Sequence, residues 1–128
     1  MPRSPGSPEA WMDFARSDLA VARSPSHPDV MLEALCFHAQ QAAEKCVKAV
    51  LVSYGIRPPK TRSIQRLIDL LPLGVPCSAE VASATALTAY ATTFRYPSDE
   101  DAVTGAQHRE ARLASAVFAW AEAQVRHP

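Results

Sequence analysis

Hydrophobic residues recur every three to four positions through most of the chain, which is the spacing of one face of an α-helix. Prolines and glycines separate these periodic segments, and the pattern predicts five helices. The first begins at Ser7-Pro8-Glu9, which offers a capping serine, a first-turn proline and a negative charge near the helix N-terminus. It stops before Pro25. Its predicted apolar stripe consists of Trp11, Phe14, Ala15, Leu19 and Ala22.

The second predicted helix is the longest. It begins near Pro28-Asp29 and ends at Tyr54, where Gly55 provides a C-terminal stop. At about 26 residues it would span about 39 Å, so we expect it to form the backbone of the fold. Its apolar face is rich in small residues that permit close helix packing: Leu35, Ala39, Ala42, Cys46, Ala49 and Val50.

Three further helices follow. The third runs from about Ser63 to Leu71, and the fourth from Ser78 to Phe94. The fifth opens with the capping-box pattern Thr104–Gln107 and continues to about Arg126. Its core stripe consists of Leu113, Val117, Trp120 and Ala121. No strand alternation is present, and short connections favour antiparallel neighbours, so we predict an all-α, up-and-down four-helix bundle with one additional short helix.

Length and composition limit the alternatives. A chain of 128 residues fits one domain, and we predict a disordered tail over 1–7 and a single helical bundle over 8–128. Lys plus Arg equal Asp plus Glu at 13 each, so the overall charge of a duplex-wrapping protein is absent. No apolar run reaches the roughly 18 residues of a membrane span, and the N-terminus lacks a signal-peptide centre. We therefore expect a cytoplasmic protein without membrane contact.

The three cysteines do not suggest a disulfide. Cys36 and Cys46 fall in one predicted helix about 15 Å apart, whereas a disulfide needs Cα atoms within about 7 Å. With Cys77 they are expected to be buried thiols in a reducing compartment.

The most informative polar residues lie along one edge of the second helix. His38, Gln41, Lys45 and Lys48 fall within about 80° on a helical wheel, beside the apolar face. Glu44 precedes Lys48 by four residues, in the favourable order for an ion pair. One interpretation is a solvated edge whose lysine stems cover the core. The other is a site for nucleotide or phosphate.

Two connections carry further candidates. Arg95 and Tyr96 lie at the last turn of the fourth helix, before Pro97. Arg95 can satisfy terminal carbonyls or bind phosphate, and Tyr96 can stack on a base. The basic segment 57–63 precedes the third helix, where it can attract phosphate or form an ordinary capped turn.

Several catalytic and metal-binding patterns are missing. The chain has no Gly-rich phosphate loop, no nucleophile elbow and no Cys-x-x-Cys. Its four histidines lack metal-ligand spacing. We therefore predict no metal site and no cofactor.

Taken in order, these segments resemble the HEPN family (higher eukaryotes and prokaryotes nucleotide-binding domain). The resemblance covers roughly residues 9 to 126. The string from Phe37 to Lys45, followed by Lys48-Ala49, is its most specific part. The remaining matches are Asp18-Leu19, Gly55, Pro59-Lys60-Thr61, Leu67-Ile68, Tyr90 and Arg95-Tyr96-Pro97.

The resemblance implies a helical bundle, usually a homodimer. Many bacterial members pair with a separately encoded minimal nucleotidyltransferase, often as a toxin–antitoxin module. Other members are metal-independent ribonucleases that use an Arg, four to six residues, and then a His. Arg95 matches that Arg, but the positions for the His hold Glu100, Asp101 and Ala102, and His108 lies too far along.

Three hypotheses follow. The favoured one is a non-catalytic, nucleotide-binding partner of a nucleotidyltransferase, whose site combines the helix-two edge with the turn: His38, Gln41, Lys45, Lys48, Arg95 and Tyr96. Asp18 would orient one of the cations. The second is a ribonuclease toxin that acts on RNA with Arg95 on the phosphate and His38 as general acid/base. The third is a structural dimer without a site. The missing motif histidine favours a protein that is not an enzyme.

Overall fold

The computed structural model describes residues 4–24, 29–85 and 100–126. Within these ranges the chain forms five helices and no strand: α1 (Pro8–Ala22), α2 (Leu32–Ser53), α3 (Ile64–Asp69), α4 (Ala79–Ser83) and α5 (Glu100–Arg126). The long helix α2 packs against α1 and α5, α3 packs on α2, and α4 packs on α5. The predicted all-α helical bundle is confirmed.

Helix α1 begins where the sequence predicts. Ser7 caps it by accepting a hydrogen bond on Oγ from the backbone N–H of Ala10 at 3.1 Å, and Pro8 occupies the first turn. The predicted stripe is wrong at Phe14, which is 62% exposed, while Met12 is buried in its place. Phe14 lies about 100° around the helix from the centre of the buried stripe, so its ring lies at the margin of the packed face.

Helix α2 is the centre of the fold. It begins at Leu32, later than predicted, because Met31 is extended (φ −74°, ψ 139°) and acts as the N-cap. It ends before Tyr54 and Gly55, and Gly55 adopts φ 76°, the left-handed conformation that favours glycine after a helix. The whole predicted apolar face is buried, and additional side chains are buried around it: Cys36, Gln40, Ala43, Glu44, Val47, Lys48 and Leu51. Neighbours therefore cover more of this helix than an amphipathic pattern implies.

The two short helices have serine caps. Ser63 Oγ accepts from the N–H of Arg66 at 3.2 Å, and Ser78 Oγ accepts from the N–H of Val81 at 3.2 Å. Both starts agree with the sequence prediction. Helix α4 is described to Ser83, and residues 86–94 of its predicted extent lie outside the described residues.

The predicted start of the last helix is wrong. Helix α5 begins at Glu100, so Thr104–Gln107 lies inside the helix and is not a capping box. The described helix already includes Glu100, four residues before the predicted cap. Of its predicted stripe, Val117 and Ala121 are buried, while the other two residues, Leu113 and Trp120, are partly buried.

The thiols differ in exposure. All three cysteines are free, and Cys36 and Cys46 are buried, but the expectation of burial is wrong for Cys77, which is exposed. It lies on the connection before α4, outside the packed helices.

No helix among the described residues combines the length and apolarity needed to cross a bilayer.

Candidate functional site

A carboxylate of α1 joins two polar side chains of α2. Asp18 Oδ1 lies 2.9 Å from His38 Nδ1, and Asp18 Oδ2 accepts from Lys45 Nζ at 2.5 Å. The side chains of Asp18, Lys45 and His38 are 12%, 23% and 36% exposed. We call these three residues the Asp18 cluster. Asp18 thus holds a cation, as the sequence suggests, and a histidine as well.

The Asp18 cluster exists because α1 buries a charged residue among apolar ones. Asp18 lies on α1 between Ala15 and Leu19, both of which pack in the core. A carboxylate removed from water without partners costs several kcal/mol. Lys45 and His38 each occupy one of its oxygens, so the two helices are fixed in register by polar contacts as well as by packing.

The same contact sets the orientation of the imidazole. With Nδ1 directed at Asp18, the Nε2 atom of His38 lies on the far side of the ring. In the parts of the chain that the structure describes, no hydrogen bond to Nε2 is present. Phe37 contacts the ring edge-on, with ring centroids 5.9 Å apart. Among the described residues, the histidine is therefore held at one nitrogen only.

Exposed apolar side chains flank the Asp18 cluster on α1. Phe14 is 62% exposed and Val21 is 37% exposed, and they lie about one turn before and one turn after Asp18. Lys45 Nζ lies 5.8 Å from the centroid of the Phe14 ring, within cation–π range. We call Phe14, Val21 and the Asp18 cluster the α1 patch.

The remaining polar residues of α2 form a separate hydrogen-bonded group. Gln41 Nε2 donates to Gln40 Oε1 at 2.8 Å, and Gln40 Nε2 donates to the backbone carbonyl of Arg62 at 3.0 Å and to Glu44 Oε1 at 3.4 Å. Lys48 Nζ donates to Glu44 Oε2 at 3.3 Å. We call these residues the glutamine network. It fastens α2 to the segment that leads into α3.

The polar residues on the predicted edge of α2 therefore belong to two separate groups. His38 and Lys45 belong to the Asp18 cluster, whereas Gln41 and Lys48 belong to the glutamine network. The interpretation as a solvated edge is wrong for Lys48, which is 9% exposed and lies with its Nζ 5.4 Å from the centroid of the Trp11 ring. The reason is that α1 and the segment after α2 cover positions that a single helix would leave in water.

Sequence reasoning did not assign a role to Gln40. It is fully buried, and its amide is the centre of the glutamine network. A buried glutamine needs hydrogen-bond partners for its N–H donors and its oxygen. The signal in the sequence was therefore a glutamine that lies between apolar residues on the helical wheel of α2. The partner, a backbone carbonyl 22 residues away, is visible only in the fold.

Arg95 and Tyr96 lie outside the described residues. Their convergence with the edge of α2 therefore stays a prediction.

A groove lies beside the glutamine network. It has a volume of about 540 Å³ and lies between the start of α1, the last turns of α2 and the segment that follows α2. Its lining residues are Gly6, Trp11, Lys48, Val52, Gly55, Ile56, Arg57, Pro58, Pro59 and Lys60. We call it the loop groove. It contains part of the basic loop that the sequence singles out, and it adds Trp11 and Lys48.

A buried carboxylate occurs on α5. Glu110 is 6% exposed, and its Oε2 has no hydrogen-bond partner in the described part of the chain. Burial raises the pKa of this carboxyl, and Arg109, whose Nε lies 3.8 Å from Oε1, offsets part of that rise. In the sequence, only its position near the buried stripe of α5 distinguishes Glu110.

Comparison with known proteins gives the family. The HEPN domain profile matches residues 8–123. Two crystal structures are similar in fold: TT1696 from Thermus thermophilus (TM-score 0.75, 23% identity) and ST0689, described as an archaeal HEPN homologue (TM-score 0.71, 25% identity). Each match covers 93% of this chain and 98% of the other. No curated protein matches the sequence. The chain belongs to the HEPN domain family.

Proposed function

We propose that this HEPN domain is a non-catalytic, nucleotide-binding partner module that forms a homodimer and pairs with a separate minimal nucleotidyltransferase in the cytoplasm, as part of a toxin–antitoxin system. The nucleotide site of this proposal remains the predicted set, in which Arg95 and Tyr96 join the edge of α2. The exposed apolar side chains of α1 are the observation that supports the partner-binding role.

The α1 patch has the character of a protein interface. An interface anchor is typically an aromatic side chain surrounded by polar groups. An exposed aromatic ring beside a charged group that is already held in place matches this pattern. Phe14 supplies the aromatic ring, and Lys45 beside it is fixed by Asp18. A rigid lysine loses little conformational freedom when a partner covers it.

The contacts within α2 favour a module over an enzyme. Most of its polar side chains are occupied by one another, since Gln41, Gln40, Glu44 and Lys48 form a continuous hydrogen-bonded group. Groups paired in this way contribute to the fold and are not free to exchange protons with a substrate, whereas the further N–H donors of Gln41 and Lys48 can still bind a nucleotide. The absence of a histidine at residues 100–102 agrees with this interpretation.

Replacement of Phe14 tests the proposal. The chain and the nucleotidyltransferase encoded beside it are co-expressed and analysed by size exclusion with light scattering. Wild type should co-elute with the partner, and Phe14→Ser should weaken the complex by about tenfold or more, the range expected for an interface anchor.

Leu73→Ser is the matched control. Leu73 is fully exposed at 105%, lies in the connection between α3 and α4 and is not part of the α1 patch. Its replacement should leave the complex unchanged. If wild type does not co-elute with the nucleotidyltransferase, or if both variants weaken the complex equally, the proposal is wrong.

A second candidate is the metal-independent ribonuclease, and the Asp18–His38 contact favours it. A carboxylate that orients one imidazole nitrogen leaves the other to accept a proton from the attacking 2′-hydroxyl of RNA. The 2′-oxygen would then attack phosphorus, and the 5′-oxygen would leave with a proton returned by the imidazolium. Arg95 would stabilise the charge on the phosphate.

Growth assays separate the two candidates. A ribonuclease should arrest growth on expression, and Arg95→Ala or His38→Ala should relieve the arrest while the purified variants keep the wild-type helical content. Harmless expression of the wild-type chain, together with intact RNA after incubation with purified protein, would exclude the ribonuclease.

A further inference from the structure

We propose that the loop groove binds an acidic peptide segment of a partner protein, with aliphatic side chains in its centre and with Arg57 and Lys60 as the carboxylate contacts. This surface goes beyond the proposed function. It lies outside the α1 patch, and its two charge contacts are not among the predicted nucleotide-binding residues.

The unpaired charge of the groove is positive. Arg57 and Lys60 are exposed, and neither side chain has a hydrogen bond or ion pair within the described part of the chain. The third cation, Lys48, is 9% exposed and already donates to Glu44 Oε2 at 3.3 Å. No carboxylate among the described residues lines the groove, whereas a smaller cavity of about 200 Å³ between α1 and α5 mixes arginines with three carboxylates. The loop groove is therefore complementary in charge to an acidic partner.

The two unpaired cations are held apart on a stiff segment. Arg57 and Pro58 each precede a proline, which favours extended backbone, and residues 56–59 form neither helix nor strand. A polyproline-type segment has three residues per turn and rises about 3.1 Å per residue, so positions 57 and 60 lie on the same side about 9 Å apart. Two carboxylates three residues apart on an extended peptide have about the same spacing.

The backbone of this segment also has unpaired groups. The N–H of Ile56 donates to the carbonyl of Leu51 at 2.9 Å, but the N–H and carbonyl of Arg57 make no hydrogen bond within the described residues. Extended segments with free backbone groups can pair with an extended peptide. The segment therefore offers main-chain contacts between its two cations as well as charge.

The centre of the groove suits aliphatic side chains. Much of its wall is aliphatic: Val52, Ile56, Pro58 and Pro59. Among the described lining residues the single aromatic ring is Trp11, and Lys48 Nζ lies 5.4 Å from its centroid. One face of that ring is thus occupied by a cation, which makes it a poor platform for stacking a base. A volume of about 540 Å³ is that of a small-ligand site, which fits a few side chains of a peptide and not a folded domain.

Nuclear magnetic resonance of the ¹⁵N-labelled full chain tests the proposal with the capped peptide acetyl-Gly-Glu-Leu-Val-Glu-Gly-amide as probe. We expect the amide signals of Gly55, Ile56, Arg57 and Lys60 to shift, with a Kd below about 1 mM. Affinity should fall as salt is raised. No shift of these signals at about 5 mM peptide would overturn the proposal.

Two control peptides separate charge from apolar contact. One carries glutamine in place of both glutamates, and the other carries glycine in place of leucine and valine. Each should shift the groove signals at least about tenfold less at the same concentration, because each lacks one of the two complementary features. Equal shifts with either control would contradict the proposal. If AMP shifted these signals more strongly than the acidic peptide, the groove would be a nucleotide site and the proposal would be wrong.

Charge-matched variants locate the peptide. The double variant Arg57→Gln/Lys60→Gln should lose about tenfold or more in affinity. The control Arg23→Gln/Arg66→Gln changes the net charge equally at exposed positions outside the groove and should retain affinity within about twofold. Equal losses in both double variants would mean general charge attraction and would overturn the site.

This proposal and the proposed function can fail independently. Arg57→Gln/Lys60→Gln should still co-elute with the nucleotidyltransferase, and Phe14→Ser should still bind the acidic peptide. A chain that binds no nucleotide should bind the peptide as well as before, because the charge contacts of the two sites differ.

Discussion

Asp18 is the residue on which the polar contacts between α1 and α2 converge. Both of its oxygens are occupied, one by His38 and one by Lys45, at a position with 12% of the side chain exposed. When one member of a buried ion pair is removed, the remaining charge stays buried without compensation. The loss of stability is then larger than the net stability that the pair contributes.

Asp18→Asn should therefore lower the free energy of unfolding by about 1–3 kcal/mol. The amide keeps the size of the side chain but cannot accept at both positions or balance the charge of Lys45. Chemical denaturation followed by circular dichroism measures the change.

Asp13→Asn is the control on the same helix. Asp13 pairs with Arg16 at 3.1 Å, but its side chain is 45% exposed, so its loss should change stability by no more than about 0.5 kcal/mol. Equal effects of the two substitutions would mean that the Asp18 cluster contributes no more than a surface ion pair.

The buried carboxyl of Glu110 should make the stability of the protein depend on pH. Because burial holds its pKa in the folded chain above the ordinary value, folding favours the protonated form. Its contribution is most favourable below the ordinary glutamate pKa and is lost as pH rises through the raised pKa. Glu110→Gln should therefore stabilise the protein at pH 7 by about 1 kcal/mol and have little effect near pH 4.

Thermal unfolding across this pH range measures the difference. Glu122→Gln, at a position 40% exposed on the same helix, should show no comparable trend. A stabilisation by Glu110→Gln that is larger at pH 4 than at pH 7 would contradict the assignment.

At the level of the elements, the start of α5 has a testable consequence. Since the helix begins at Glu100, Gly105 lies in its interior, where glycine costs about 0.5–1 kcal/mol relative to alanine. Had the helix begun at Thr104, glycine would lie in the flexible first turn and its replacement would have little effect.

Gly105→Ala should raise the free energy of unfolding by about 0.5–1 kcal/mol, and Ala106→Gly should lower it by a similar amount. Denaturant titration of the two variants measures both. If neither substitution changes stability, the helix does not extend through this segment.

For the molecule as a whole, the three thiols report on the packing of α2. Cys36 and Cys46 are buried, and burial raises the pKa of the Cys46 thiol. Cys77 is exposed, and partial desolvation raises the pKa of its thiol as well, so its labelling should accelerate as pH rises.

Native labelling with a thiol reagent should therefore modify one cysteine rapidly, and labelling in denaturant should modify all three. Mass spectrometry identifies the sites. Rapid native modification of Cys46 would show that α2 is not enclosed by α1 and α5 as described.

The sequence by itself determined the fold class, the family, and most helix starts, because these depend on local signals. Ser7, Ser63 and Ser78 cap their own helices, and Gly55 ends α2 by its own backbone freedom. The predicted start at Thr104 was wrong, because this capping pattern lies inside a helix that the structure describes from Glu100.

Only the tertiary structure decided which polar side chains meet. On a helical wheel His38, Gln41, Lys45 and Lys48 form one edge, yet Asp18 of α1 holds two of them, and a network leading to the carbonyl of Arg62 takes the other two. The reason is physical: a wheel records directions around one axis, whereas exposure and pairing depend on neighbouring segments 20 to 27 residues away in the chain.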